Sequence, residues 1–223
     1  MNNVKPLTPK QEDRRRRILS AARRMVADYG YDGMVMSEVA ESAGVSPTTL
    51  YNLYNTKDEL LLEALRDLLV ENYQQLDAQV PAERGWQYLH RVVQNGALLR
   101  HSEPAYGEAI VNALLRSVPG DALTQLLLEN VRQDFQFSLE QMAERGELTE
   151  YVDIEHLSVL LLGNYWSTFL LVSKGAERLS RIKLSLEINM LSVLLASTHG
   201  ETRQAIEHKL EDVRAAAEEL PSD

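Results

Sequence analysis

Val39-Ala40-Glu41-Ser42-Ala43-Gly44-Val45-Ser46-Pro47-Thr48-Thr49-Leu50-Tyr51-Asn52-Leu53 is the stretch from which the fold can be read. Val39, Ala43, Val45, Leu50 and Leu53 are apolar at spacings that let two short helices, about 36–42 and 46–54, pack at a steep angle. Ala40 is small where the two approach, and Gly44 stands where the chain turns, a place for positive φ. Ser46 and Pro47 supply a cap and a proline at the first helical position of the second helix. Leu50 and Leu53 are expected in the core. This is a helix-turn-helix corner; such corners also occur in bundles that bind no DNA, and on these residues alone both readings stand.

Working outward, Thr8-Pro9-Lys10-Gln11 reads as a capping box that opens a first helix. Ile18, Ala21, Ala22, Met25, Val26 and Tyr29 follow at helical spacing, and Gly30 is expected to close it. Val35 cannot cap the second helix, so Ser37 is a candidate for a late start. Downstream, Thr56 and Glu59 repeat the capping logic for a helix from Lys57 to about Gln79, stopped before Pro81. Further helices are expected at about 82–100, 103–117, 121–145, 153–173, 176–198 and 202–219. The last carries Ile206, Leu210, Val213, Ala217 and Leu220 on one stripe, leaving open whether it caps a dimer or lies on the body. Gly and Pro, 11 and 7 of 223 residues, are scarce. No alternating strand pattern or repeat is present, so the fold class is all-α.

Net charge is −10, but its distribution is uneven. Residues 1–57 carry nine Lys/Arg against six Asp/Glu, net +3, whereas 58–223 carry fourteen against twenty-seven, net −13. A small DNA-reading module on an acidic body has this asymmetry, although a basic arm is also ordinary solvated surface. Arg14 to Arg17 can reach a duplex or simply solubilise the arm. The chain has no Cys, which removes disulfides, thiolate nucleophiles and Cys-based zinc sites. His90, His101, His156, His199 and His208 lack metal-ligand spacing, and there is no phosphate loop, nucleophile elbow or other catalytic constellation. No enzyme activity, cofactor or metal is expected. The longest uncharged run, Leu157–Ser173, falls short of a membrane span by its 17 residues, and no apolar signal core precedes it. A soluble, cytoplasmic protein is expected.

Residues from about Arg17 to Leu65 resemble the N-terminal domain of TetR-family transcriptional regulators. The resemblance is carried by Ile18-Leu19-Ser20-Ala21-Ala22, by Val39 to Ser46, by Thr49-Leu50-Tyr51-Asn52-Leu53-Tyr54 and by Lys57-Asp58-Glu59-Leu60-Leu61. It implies an N-terminal three-helix DNA-binding domain, residues 1–56, and a C-terminal helical ligand-binding and dimerisation domain, residues 57–223. Thr48 and Asn52 lie one turn apart on the recognition helix, and Asn pairs two-pronged with adenine. Pro47 and Thr48 offer methyl and methylene groups to thymine, but stand where relatives often have Lys and Gly, so no base preference carries over. Thr49, Tyr51 and Lys57 resemble the family's backbone-contact positions. Ser37, Ser46 and the free amides opening the fourth helix are further phosphate candidates. Tyr54 is either a contact or a ring filling the corner.

The apolar helices at about 153–173 and 176–198 resemble the pair that forms a four-helix homodimer interface in this family; burial within one subunit is the alternative. Trp86, Tyr106, Phe135 and Asn164 are candidates for an effector pocket of apolar character, each also readable as core. The resemblance implies a homodimeric repressor that binds a palindromic double-stranded operator and is released by a small, largely apolar molecule. The alternative is a helical small-molecule-binding or adaptor protein with a non-functional DNA head.

Overall fold

Thr8 opens the first helix as its sequence requires: its hydroxyl accepts the Gln11 N–H, and the Gln11 side chain accepts the Thr8 N–H at 2.8 Å. In this computed structural model residues 7–79, 85–120 and 124–218 are described. The helices are α1 (Pro9–Gly33), α2 (Met36–Ser42), α3 (Pro47–Leu53), α4 (Lys57–Gln79), α5 (Trp86–Ser102) and α6 (Pro104–Arg116). After them come a π-helical turn (Gln125–Glu129) running into α7 (Asn130–Glu144), then α8 (Ile154–Ser173), α9 (Ile182–Ser197) and α10 (Gly200–Glu218). Among the described residues the only extended pairing is an isolated bridge between Leu148 and Thr198. The expected stop before Pro81, the starts at 82 and 121, and Leu220 fall outside the described residues.

The chain forms two compact units, Met1–Glu71 with Glu103–Ala113, and Asn72–Ser102 with Leu114–Asp223. The first unit closes on Ile18, Leu19, Ala22 and Val26 of α1, Val39 and Ala40 of α2, Leu50 of α3, and Leu60, Ala64 and Leu65 of α4, all at most 1% exposed. Gly30 interrupts α1 where its closure is expected: its backbone, φ +71° and ψ 174°, is non-helical, and one further turn, Tyr31–Gly33, follows across the kink. Met36, not Ser37, opens α2; Val35 occupies the cap position without any side-chain bond.

In the second unit α9 packs against α5, α8 and α10, and α7 packs against α5 and α8. The last helix therefore lies on its own body, with Ile206, Leu210 and Val213 turned inward. Gly96 on α5 is required by close approach: a Cβ there would fall 2.1 Å from the Tyr165 hydroxyl of α8. Tyr165 also joins an aromatic cluster with Phe135, Trp166 and Phe169, and the Trp166 indole N–H donates to the Leu127 carbonyl within the π-helical turn at 3.2 Å. The expected helix at 176–198 begins later, at Ile182 after a single 3-10 turn, because Ala176 and Glu177 donate back to Leu171 to close α8. Ile154–Ser173 is long and apolar enough, by length and composition, to cross a membrane. The uncharged run understates it by omitting Ile154, Glu155 and His156. It packs against α7 and α9, but only 28% of its apolar window is buried.

Candidate nucleic-acid interface

A seven-residue helix has too few internal hydrogen bonds to hold its own direction, so α3 depends on what brackets it. Ser46 Oγ accepts the Thr49 N–H at 3.1 Å, and Pro47 occupies the first helical position. Behind the cap, Gly44 takes φ +66°, its N–H bonding to Glu41 O and that of Val45 to Ala40 O at 2.9 Å. Leu50 anchors the helix in the core at 0% exposure. Leu53 does not join it: at 42% exposed it faces outward, and the inward place one turn beyond Leu50 is taken by Tyr54, 7% exposed. Burial pushes the Tyr54 phenol up, against the opposing field of Arg15. Tyr54 thus fills the corner.

Pro47, Thr48 and Asn52 are exposed on α3, Tyr51 is 49% exposed and Thr49 is half-buried. Thr48 and Asn52 share one open helix face, and Ser37 is exposed in the first turn of α2. At the start of α4, Thr56 Oγ1 accepts the Glu59 N–H at 3.0 Å, while Glu59 accepts the Asn55 rather than the Thr56 N–H, at 2.8 Å. Lys57 is half-buried, its ammonium 4.4 Å from the Tyr31 ring centroid and donating to Asp32 O at 3.2 Å. The Tyr31 hydroxyl donates to Asp58 on the next position. A cation held over an aromatic face is pre-oriented but keeps donors for a phosphate. This clasp between α1 and α4 leaves no trace in the sequence beyond the Lys57-Asp58 pair.

Within the arginine run, Arg16 and Arg17 stay exposed, while Arg15 is half-buried and engages α4. Arg15 bonds Asp67 at 2.8 Å and Glu63 at 3.3 Å on α4, and Arg16 and Arg17 share Asp13. Hydrogen bonds from Arg16 and then Arg17 hold the Asp13 carboxyl below the usual range. Arg17 also donates to the Ala43 carbonyl at the end of α2.

The residues named for an effector pocket do not gather in one place. Tyr106 belongs to the first unit, 1% exposed, with its hydroxyl on Leu61 O at 3.5 Å and its phenol pushed up by burial. Phe135, Trp86 and Asn164 belong to the second unit. Phe135 meets Tyr165 edge-on at 6.3 Å; Trp86 lies 6.3 Å from the His90 ring; Asn164 is half-buried, its carbonyl accepting from Thr168. Beside Trp86, His90 Nε2 and Gln94 Nε2 converge on Glu187 Oε1 at 2.8 and 2.6 Å, a buried polar cluster that helix periodicity alone does not reveal. Burial works to raise the Glu187 carboxyl, and the hydrogen bonds from His90 and Gln94 outweigh it, holding it below the usual range. Among the described residues no group of three potential ligands is placed to hold a metal ion.

Residues 18–64 match the family described as bacterial regulatory proteins, tetR family. The chain is 39% identical over 56 residues to the HTH-type transcriptional regulator BetI of Rhizobium meliloti, covering 25% of this chain and 28% of that one. It is 38% identical over 55 residues to the HTH-type transcriptional repressor AcnR of Corynebacterium jeikeium, covering 25% and 29%. The match thus spans less than a third of these relatives' length. Over most of the chain the fold is similar to that of SmeT, the repressor of the Stenotrophomonas maltophilia multidrug efflux pump SmeDEF, with TM-score 0.68, 16% identity, and coverage of 84% of this chain and 92% of that one. A TetR transcription regulator from Haloarcula marismortui gives TM-score 0.68, 18% identity, and coverage of 84% and 100%. The match to the tetR family thus lies in residues 18–64, and the chain shares its fold with SmeT and the Haloarcula regulator.

Proposed function

We propose that this chain is a ligand-responsive repressor that binds a palindromic operator as a homodimer and is released by a small, largely apolar molecule. The observation that carries the reading is the open Thr48–Asn52 face of α3, fixed between the Gly44 turn and the Ser46 cap. Such a face fits the major groove, with Asn52 on an adenine edge, Pro47 and Thr48 against thymine, and Ser37, Ser46, Thr49, Tyr51 and Lys57 on the backbone. The intact turn and cap speak against a non-functional head. The DNA-contacting part is not confined to residues 1–56: Lys57 joins it from α4, and the compact unit that carries α1–α3 runs to Glu71 and takes in Glu103–Ala113, while the remainder dimerises and responds.

Dimerisation through 153–173 and 176–198 is supported by α8, where Val159, Leu160 and Leu171 are 49%, 44% and 48% exposed and Gly163 and Ser167 are open beside them. Covering that apolar face with a second copy accounts for a helix of membrane-like composition in a cytoplasmic protein. Two heads then read half-sites about one DNA turn, roughly 34–36 Å, apart. The effector's place is in the second unit, with Trp86, Phe135 and Asn164 as wall candidates; Tyr106, closed in the other unit, serves as core. SmeT occurs in a complex with triclosan, which supports an apolar effector by analogy. The effector must bind the released state more tightly than the DNA-bound one, or it shifts nothing.

Selection of bound duplexes from a random pool by the purified chain, at near-physiological salt, tests the reading. An enriched inverted repeat is expected. No enrichment by protein that has been refolded free of ligand overturns it.

A further inference from the structure

Arg17 of α1 is held at two points of its guanidinium. Nε donates to Asp13 Oδ2 at 3.1 Å, one turn back on the same helix, and Nη1 donates to the carbonyl of Ala43, the residue that closes α2. The last carbonyls of a helix lack intrahelical partners and carry partial negative charge, so a guanidinium there is donor and countercharge together. The next residue is Gly44, and a Cβ placed on it would lie 3.2 Å from Arg17 Nη1, so the guanidinium lies directly against the turn. Ser46, the cap of α3, is two residues further on.

We propose that Arg17 is a positioning residue for DNA recognition: by gripping the Ala43 carbonyl it fixes the turn between α2 and α3, and so the direction in which α3 presents Thr48 and Asn52. The proposal rests on the head's being a DNA reader. The alternative for an arginine 47% exposed at this edge is a direct phosphate contact. Its geometry favours positioning, since Nε and Nη1 are both committed to partners within the protein.

The test uses the full chain as wild type, Arg17→Ala and Arg17→Lys, with two readouts. In the free protein, amide exchange at Gly44 and Val45 reports the turn; on the duplex enriched by wild type, affinity is followed against salt concentration. In Arg17→Ala, exchange at those two amides should quicken about tenfold and affinity should fall about tenfold, with the salt slope unchanged. Arg17→Lys, which keeps a donor within reach of Ala43 O, should recover much of both. A slope reduced by about one with unaltered exchange would show a phosphate contact and overturn the proposal. A lowered melting temperature with affinity intact where the protein is fully folded would show a merely structural ion pair, and also overturn it. Should wild type enrich no duplex, the DNA-binding reading fails and recognition with it, while exchange at Gly44 and Val45 separately decides whether Arg17 holds the turn.

Discussion

In the DNA complex we propose, Asn52 and Lys57 divide the work of binding between information and adhesion. Asn52 is exposed on the outer face of α3, and among the described residues no side-chain hydrogen bond engages its amide, which can therefore turn to a base edge. Asn52→Ala should weaken the preferred duplex by about 1–3 kcal/mol and relax preference at one base pair, as read by competition among single-base variants. Unchanged preference would mean that Asn52 is not a base reader. Lys57 supplies charge, not sequence. Lys57→Ala should lower affinity for all duplexes alike and flatten the salt slope by about one; a slope equal to wild type would show that its ammonium serves only Tyr31 and Asp32. The open position of Asn52 was legible from spacing on a short helix, whereas the hold of Tyr31 and Asp32 on Lys57 was not. Arg15 and Arg17 were not legible, since their partners are carboxylates 48 and 52 positions away and a backbone carbonyl.

Elements were legible where capping chemistry is local. Thr8 with Gln11, Ser46 with Pro47, and Asp153, whose carboxylate accepts the His156 N–H at 2.9 Å, each start a helix from residues within one turn. Facing was harder. Leu50 and Leu53 look equivalent in a list of apolar positions, but a helix of two turns offers the core a single narrow face, and Tyr54, four residues after Leu50, takes it. Close approach was invisible for a related reason: Gly96 reads as a weak spot in α5 until Tyr165 is seen against it. Gly96→Ala should force the ring aside and cost about 1–3 kcal/mol in urea denaturation. No loss would show that the ring moves freely and that the approach carries no packing energy.

The molecule as a whole joins a head of net charge +3 to an acidic remainder of −13; on the proposed function, DNA would attract residues 1–57 and repel the rest, orienting encounter before any base is read. If two copies meet through α8, Leu160→Glu with Leu171→Glu should give a monomer by sedimentation and a large loss of operator affinity; a persisting dimer would place the interface elsewhere. Glu187 links stability to acidity. Its carboxyl is held below the ordinary range in the folded chain, so its contribution is present above about pH 4.3, the unfolded value, and is lost as pH falls through the folded one. Glu187→Gln should therefore destabilise at pH 7, and the gap to wild type should close toward pH 3 in urea titrations. A gap independent of pH would remove the ionised carboxylate from the account. The indole of Trp166, bonded to Leu127 in the π-helical turn, has an optical consequence. The chain has two tryptophans, so Trp86→Phe leaves a single emitter at that turn, and the colour of its fluorescence becomes a label-free report of any small molecule that rearranges it.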